Sequence, residues 1–260
     1  MTAGGTRNPE GNVDGTQAIR RAAAILRRIG QSNSQGVGLA AITEALQLPR
    51  STTHRILKCL VEEGLVDHDY ARRRYVVGRL TYELGLAVTT DALDVARWRV
   101  AVERVAQRTG VTSYLMSRSG IEATCILKTD GSSVIRVIPV DVGQRRLLGV
   151  GAGSTALLAA LDPETSDRII ETIEPSLRAY PNLKVEVIRR IVEEARRTGF
   201  AVSQSNVVKD VIGIGMAIPK PGGVPTLALS IAALAPQTGE ETIEGWKQII
   251  RQEIEAVLEA

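Results

Sequence analysis

The stretch LPRSTTHRILKCLVEEGLV, residues 48–66, decides how the first third of the chain folds. Ile56, Leu57, Leu60 and Val61 follow the i, i+1, i+4, i+5 spacing of a helix buried on one side only. Its opening turn, PRSTTHR, carries no large apolar side chain. Pro49 suits a first helical position, and Arg50, Ser51, Thr52 and Arg55 place hydrogen-bond donors beside the free N–H groups of a helix N-terminus. Such a helix docks on its own domain through the stripe and offers its first turns to a polar partner outside.

The flanking sequence supplies the domain. Upstream, QAIRRAAAILRRIG repeats Ile19, Ala22, Ala23, Ile25, Leu26 and Ile29 on an amphipathic helix with arginines on its other faces. LAAITEALQL then gives a short helix with Leu39, Ile42 and Leu46 inward, and only residues 46–48 separate it from the quoted helix. Two helices joined so tightly make a helix-turn-helix, whose second helix is the one presented to the major groove. Downstream, Gly64 ends the helix, and LVDHDYARRRYVVG reads as two short strands around a polar tip, a wing carrying Arg72, Arg73 and Arg74. On this reading Arg50 and Arg55 reach base edges, because a guanidinium pairs bidentately with guanine. Ser51, Thr52 and Lys58 sit on the phosphate backbone, with the three wing arginines beside them. A merely solvated wing tip remains the alternative, and His54 reads as an ordinary polar helix residue.

The whole chain has 260 residues, room for two domains, with 44% hydrophobic and 23% charged residues, the balance of a soluble globular protein. Aromatic residues make up 3%, too few for a protein that stacks single-stranded bases on exposed rings. Cys59 and Cys125 lie far apart in different kinds of segment, so no disulfide framework is expected and a reducing cytoplasm fits. The first 15 residues read as a flexible tail with no apolar signal segment, and no run is long enough to span a membrane. The net charge is +3, and its basic excess falls before residue 84, where the helix-turn-helix lies.

Residues 79–109 lack proline and carry Leu80, Leu84, Leu93, Val95, Val100, Val102 and Val105, a linker helix broken near Thr89, Thr90 and Asp91. After Gly110 the pattern turns to strands: VTSYLMSR, IEATCILK and SVIRVIPV, parted by turns at Ser119–Gly120 and at Asp130 and Gly131. Helices follow from about Ser154, Pro163 and Val185, then strands at 211–218 and 226–234, and a last helix with Ile243, Trp246, Ile250 and Ile254 on one side. The fold class is therefore two domains: an N-terminal winged helix-turn-helix at 16–78, the linker at 79–109, and an α+β domain at 110–260.

Enzyme chemistry finds no support. GVGAGST, residues 149–155, lacks the lysine of a P-loop and the last glycine of a dinucleotide fingerprint. No nucleophile elbow, metal-ligand spacing or cofactor motif is present, and both histidines lie in the first domain, so no catalytic residue is assigned. The Gly-rich loop instead offers a helix N-terminus that a small anion could approach, or simply a turn demanded by geometry.

Taken together, QAIRRAAAILRRI, LPRSTTHRILKCLVEEGLV, RRRYVVGRLTYELG, VGQRRLLGVGAGSTALLAAL and GFAVSQSNVVKDVIGIGMAIPKPGGVPTLALSIAAL resemble the IclR family of bacterial transcriptional regulators, from residue 16 to the end. The resemblance implies a GAF-like effector-binding domain, a linker helix that helps the DNA-binding heads to dimerise, and a homodimer or tetramer. It places effector contacts at Ala152, Gly153, Ser203, Gly213, Ser230 and Ala232. Gln47 stands where the family usually has glycine in the turn; a left-handed backbone there costs on the order of 1 kcal/mol. Thr53 replaces an inward aliphatic residue, and its hydroxyl is expected to bond back to the preceding turn. Ser203, Gly213 and Ala232 stand where the family often has an acid, a cysteine and a serine, which predicts a roomier, more apolar pocket suited to an aromatic or longer-chain carboxylate. The resulting expectation is a cytoplasmic, ligand-responsive regulator, a repressor by preference, binding double-stranded operator DNA and a small carboxylate, without a cofactor and without a membrane partner. The alternative is a winged-helix binding module that senses no ligand.

Overall fold

The computed structural model describes residues 14–32, 35–87, 95–133, 140–235 and 238–260. The chain divides into two compact units, Met1–Thr89 and Thr90–Ala260. In the first, α1 (Asp14–Gly30), α2 (Leu39–Leu46) and α3 (Arg50–Glu62) are followed by the hairpin β1 (Val66–Asp69) and β2 (Arg74–Val77), and by α4 (Arg79–Leu86). Ile25, Ile29, Ile42, Leu57, Leu60, Val66 and Tyr75 form the core of this unit. Helix α1 begins inside the stretch expected to be tail; the rest of that stretch, 1–13, lies outside the described residues. Ile19, expected on the apolar stripe, is 70% exposed, because α1 starts well before the core it packs on at Ile25 and Ile29.

The turn between α2 and α3 bears out both local expectations. Gln47 adopts φ 51°, ψ 38°, a left-handed conformation, and its side-chain amide donates to the Glu44 carbonyl at 2.9 Å, one bond set against the strain of that backbone. Thr53 is fully buried, and its hydroxyl donates to the Pro49 carbonyl at 3.2 Å. A polar group thus occupies an inward position without an unmet hydrogen bond.

The second unit contains α5 (Val95–Thr109), a six-stranded sheet, and helices on both of its faces. The strands are β3 (Thr112–Ser119), β4 (Glu122–Thr129), β5 (Arg145–Leu147), β6 (Ala201–Gln204), β7 (Val211–Ala217) and β8 (Leu227–Leu234). They run in the order β5-β4-β3-β8-β7-β6, every neighbouring pair antiparallel. Between β5 and β6 come α6 (Ala152–Ala159), α7 (Pro163–Ile173), a 3-10 turn at Glu174–Ala179 and α8 (Val185–Thr198), and α9 (Glu240–Leu258) closes the chain. Sequence reading passed over β5 and β6, which are short and carry no alternating apolar run. Of the expected strand SVIRVIPV, residues 134–139 lie outside the described residues, as do 88–94, where the linker break was expected. The 79–109 segment supplies two helices, α4 and α5, one in each unit.

The sheet separates two cores. Leu115, Leu127, Ile214, Leu227, Leu229 and Ile231 face α5 and α9, where Trp98, Val102, Val105, Ile250 and Ile254 cover them. Tyr114, Met116, Cys125, Ala228 and Ala232 face the opposite way, toward α6, α7 and α8. Successive strand residues point to opposite faces, so Cys125 and Leu127 should share one. They do not, because the register shifts between Leu115 and Met116: Leu115 pairs with Leu127 and Met116 with Cys125, leaving Ile126 as the extra residue of a bulge. The bulge lets Leu127 join Leu115 on one core while Cys125 joins Met116 on the other.

Candidate DNA interface and ligand pocket

On α3, Thr53, Leu57 and Leu60 are buried, and Ser51, Arg55, Lys58 and Glu62 lie at i, i+4, i+7 and i+11 on the opposite face, all exposed. Arg50 and His54, four residues apart, are exposed on a flank, while Thr52 is half-buried. Arg50 and Arg55 make no ion pair or side-chain hydrogen bond among the described residues. Lys58 lies 3.7 Å from Glu62, but both are exposed and a pair of this kind contributes little. The N-cap residue of α3, Pro49, makes no side-chain cap, so among the described residues the first-turn N–H groups lie beside the arginine and serine donors. His54, read as an ordinary polar helix residue, is exposed, in keeping with its place four residues beyond Arg50.

The wing arginines are three different things. Arg73, at φ 53°, sits at the turn and is exposed. Arg72 is tethered to Asp69, whose carboxylate accepts the Arg72 backbone N–H at 3.0 Å and lies 3.8 Å from its guanidinium. Arg74 donates to the carbonyls of Gln35 and Gly36 at 3.3 and 3.0 Å, tying the hairpin to the loop before α2. Beneath them His68 stacks on Tyr75 with ring centres 4.4 Å apart. Burial raises the Tyr75 phenol above its ordinary pKa, so it remains a neutral packing element at any ordinary pH.

In the second unit, all six positions expected to meet a ligand border one cavity, whose atom-free space, mouth included, is about 580 Å³. The sheet forms its floor through Tyr114 and Met116 of β3, Ser230 and Ala232 of β8, Gly213 of β7 and Ser203 of β6. Pairing explains their assembly: Gly213 stands opposite both Ser203 and Ala232, and Ser230 opposite Tyr114. Ala152, Gly153 and Ser154, the first turn of α6, form the roof with Gly151 before it. Arg146 on β5 also lines the cavity, so both edge strands contribute. Five strand spacings would hold them about 24 Å apart in a flat sheet, so the sheet curls around the site.

Glycines let the roof come down. A Cβ on Gly215 would stand 2.7 Å from the Ala152 carbonyl carbon, and one on Gly153 would stand 2.8 Å from both Met116 Cγ and Ser230 Oγ. A Cβ on Gly213 would lie 3.1 Å from that of Ala152, so the room expected from the small residue at 213 is largely taken up by the helix. Ser154 and Thr155 turn their hydroxyls back to backbone carbonyls, Ser154 to Val150 at 2.7 Å and Thr155 to Gly151 at 2.8 Å. Ser203 and Ser230, 7% and 5% exposed, make no side-chain hydrogen bond among the described residues. Such buried hydroxyls are ordinarily satisfied, and here they border a cavity. Burial, with the neighbouring Cys125 adding to it, raises the Tyr114 phenol well above its usual pKa and keeps it protonated. Burial likewise pushes the Cys125 thiol up to about 12, with Asp141 adding to the effect and Lys128 opposing it. Sequence reading missed Tyr114, Met116 and Arg146; an arginine directly before the apolar run LLGV was the available signal.

A helix-turn-helix with a winged hairpin, followed by an α+β unit whose sheet curls around a cavity, is the architecture of a class of DNA-binding regulators. Residues 18–69 match the family model for the IclR helix-turn-helix domain, and residues 88–258 match that for the C-terminal domain of the bacterial transcriptional regulator IclR. The chain therefore belongs to the IclR family of bacterial transcriptional regulators. Among its relatives are the HTH-type transcriptional repressors AllR of Salmonella typhimurium, 28% identical over 242 residues, and of Escherichia coli K12, 26% identical over 239 residues. Each alignment covers 91% of this chain and 87% of the relative. Among solved structures, the IclR transcriptional regulator of Alicyclobacillus acidocaldarius matches with a TM-score of 0.75 at 26% identity, covering 93% of this chain and 97% of that one. An IclR homolog from Microbacterium hydrocarbonoxydans, complexed with 4-hydroxybenzoate, matches with a TM-score of 0.72 at 22% identity, covering 93% and 99%. Among the described residues no helix is long and apolar enough to cross a membrane.

Proposed function

We propose that this regulator is a cytoplasmic repressor, a homodimer or tetramer, whose α3 reads operator DNA and whose second unit releases or retains that DNA according to a small carboxylate in the cavity. The observation that carries the ligand half is the convergence of Ala152, Gly153, Ser203, Gly213, Ser230 and Ala232 on one cavity from four separate elements. Its wall is mostly apolar with few polar groups, the usual composition of small-molecule sites. The fold itself accommodates an aromatic acid in the Microbacterium relative.

On DNA, Arg50 and Arg55 take base edges, Ser51, Thr52 and Lys58 the backbone, and Arg73 and Arg72 the phosphates flanking the wing. Arg74, committed to carbonyls of the loop before α2, supports the wing more than it touches DNA. An effector changes operator affinity only if it binds one arrangement of the protein better than the other, and the 79–109 segment that joins the units covalently carries that difference. Differential scanning fluorimetry of the full chain against a panel of aromatic and aliphatic acids tests the ligand half. A saturable rise in melting temperature with at least one acid is expected. No shift across the panel leaves a DNA-binding module without a sensor.

A further inference from the structure

The sheet ends on β6, and that edge is open. Ser205 donates its backbone N–H to the Val211 carbonyl at 2.8 Å, which makes the two a hydrogen-bonded pair continuing the β6–β7 ladder. Ser203 opposite Gly213 and Ala201 opposite Gly215, at steps of two, are pairs of the same kind, so their backbone groups turn inward to β7. Val202 and Gln204 therefore turn theirs outward, and no backbone group of another element meets them among the described residues. Phe200, next along the chain, is closed off, its N–H and carbonyl both bonded to the Thr198 hydroxyl at 3.2 Å. An edge of this kind accepts a further strand unless proline, a bulge or charged side chains block it, and β6, AVSQ, carries none of these.

Helix α8 flanks this edge. Its Arg190 and Glu194, one turn apart and both exposed, border a groove with Val202 and Gln204. Glu194 accepts from Arg197 at 2.6 Å, whereas Arg190 makes no ion pair or side-chain hydrogen bond among the described residues. A cation and an anion beside one strand edge form a self-complementary pattern. A twofold axis through the middle of β6 reverses α8 and sets Arg190 against Glu194 of the partner subunit, once on each side of the axis. A carboxylate has lone pairs enough for Arg197 and a second guanidinium together.

We infer that β6 is a docking edge for a second copy of this chain, which pairs its own β6 antiparallel about a twofold axis at Ser203. In that register Val202 exchanges its outward N–H and carbonyl with Gln204 of the partner subunit, and Gln204 with Val202 of the partner subunit, so every free group of the edge is engaged. An extended peptide could satisfy the backbone, but only a copy brings the matching charges. The two cavity floors then belong to one continuous sheet, with Ser203, which borders the cavity, beside the axis in each copy. This edge lies in the second unit, apart from the heads and linker helix to which the family resemblance assigns dimerisation. The inference rests on the reading of the protein as a homo-oligomer and names a surface that builds it.

Sedimentation velocity of the full chain over a concentration series tests this. The wild type is expected to associate as concentration rises. Arg190→Glu and Glu194→Arg, each of which sets like charges together on both sides of the axis, are expected to weaken the β6 step by about tenfold or more. An equimolar mixture of the two variants restores it, because each then meets the opposite charge on the other, an outcome that a general structural defect would not give. Val202→Pro removes one outward N–H, leaves the bonds to β7 in place, and is expected to abolish the step with little change in melting temperature. Should that variant not fold, as judged by circular dichroism, the charge reversals and their mixture carry the comparison. Assembly unmoved by either reversal, or a mixture no better than its parts, overturns the inference and leaves the edge to an extended segment of another protein, while the oligomer reading stands. A wild type that is monomeric at every concentration overturns both this inference and the reading beneath it.

Discussion

Helix α3 and the cavity floor are built on opposite principles. The outward face of α3 gains its chemistry from long side chains extended into solvent, Arg55 and Lys58 with Ser51 between them and the helix N-terminus. The floor gains its chemistry from side chains withheld: Gly213 and Gly215 on β7 and Ala228, Ser230 and Ala232 on β8 face the cavity side, while Ile214, Met216, Leu227, Leu229 and Ile231 fill the other. A contact surface tolerates removal of one of its side chains with the fold intact. A cavity roofed by a helix resting on glycine tolerates no addition. The same type of substitution should therefore act on binding alone in one region and on folding in the other.

The largest effect should come from adding volume beneath the roof. Gly215→Val puts a branched side chain where even a Cβ meets the backbone of Ala152 at 2.7 Å. Urea denaturation should show a loss of about 3 kcal/mol, at the upper end for overpacking, because the obstacle is main chain and cannot rotate away. A midpoint like the wild type's would mean that α6 does not rest on β7. Removing a side chain from α3 should leave the denaturation midpoint alone. Arg55→Ala is expected to weaken operator binding by about 10- to 100-fold, the worth of one bidentate base contact at roughly 1–3 kcal/mol, in a gel-shift titration at fixed salt.

The wing refines the contrast within a single run of three arginines. Arg73→Ala should lower the slope of log affinity against log salt by about 1, as expected for one phosphate contact, and leave stability unchanged. Arg74→Ala should instead cost about 1 kcal/mol of stability through its lost bonds to Gln35 and Gly36, with a smaller change in salt slope. Reversal of the two results would exchange their roles. The smallest effect concerns the cysteines. Iodoacetamide at pH 8 should modify exposed Cys59 and spare buried Cys125, whose thiol pKa is pushed up to about 12. Because the folded thiol binds its proton more tightly than the unfolded one, its contribution to stability is complete below the unfolded value near 9.0 and falls as pH rises from there toward 12. Mass spectrometry of the native protein reads the modification, and alkylation of both sites would contradict the buried placement.

The sequence disclosed α3 because helical spacing and a polar first turn are both local. It disclosed β7 and β8 because VIGIGMA and LALSIAAL run as strands between turn signals. Arg146 was beyond its reach. That residue reaches the cavity only because β5, three residues long, pairs with β4 and the sheet then curls until both edges border one space. Neither step leaves a periodic trace. The expectation of extra room at Gly213 went astray for a related reason: the sequence shows that a side chain is missing, and only the fold shows that Ala152 has moved in. Ile19 belongs to the same class, apolar and correctly spaced but on a helix that begins before its core does.

The most direct test of the whole account is an operator titration by fluorescence anisotropy, at one salt concentration, with and without a saturating amount of the acid that stabilises the protein most. Reciprocity requires that the acid change operator affinity by the factor by which operator changes the affinity for the acid. The account predicts a shift of about fivefold or more in both titrations, equal within error, since coupling between sites is typically on the order of 1–3 kcal/mol. An acid that binds tightly while operator affinity stays the same would contradict it, leaving a DNA-binding head and a ligand pocket with no traffic between them.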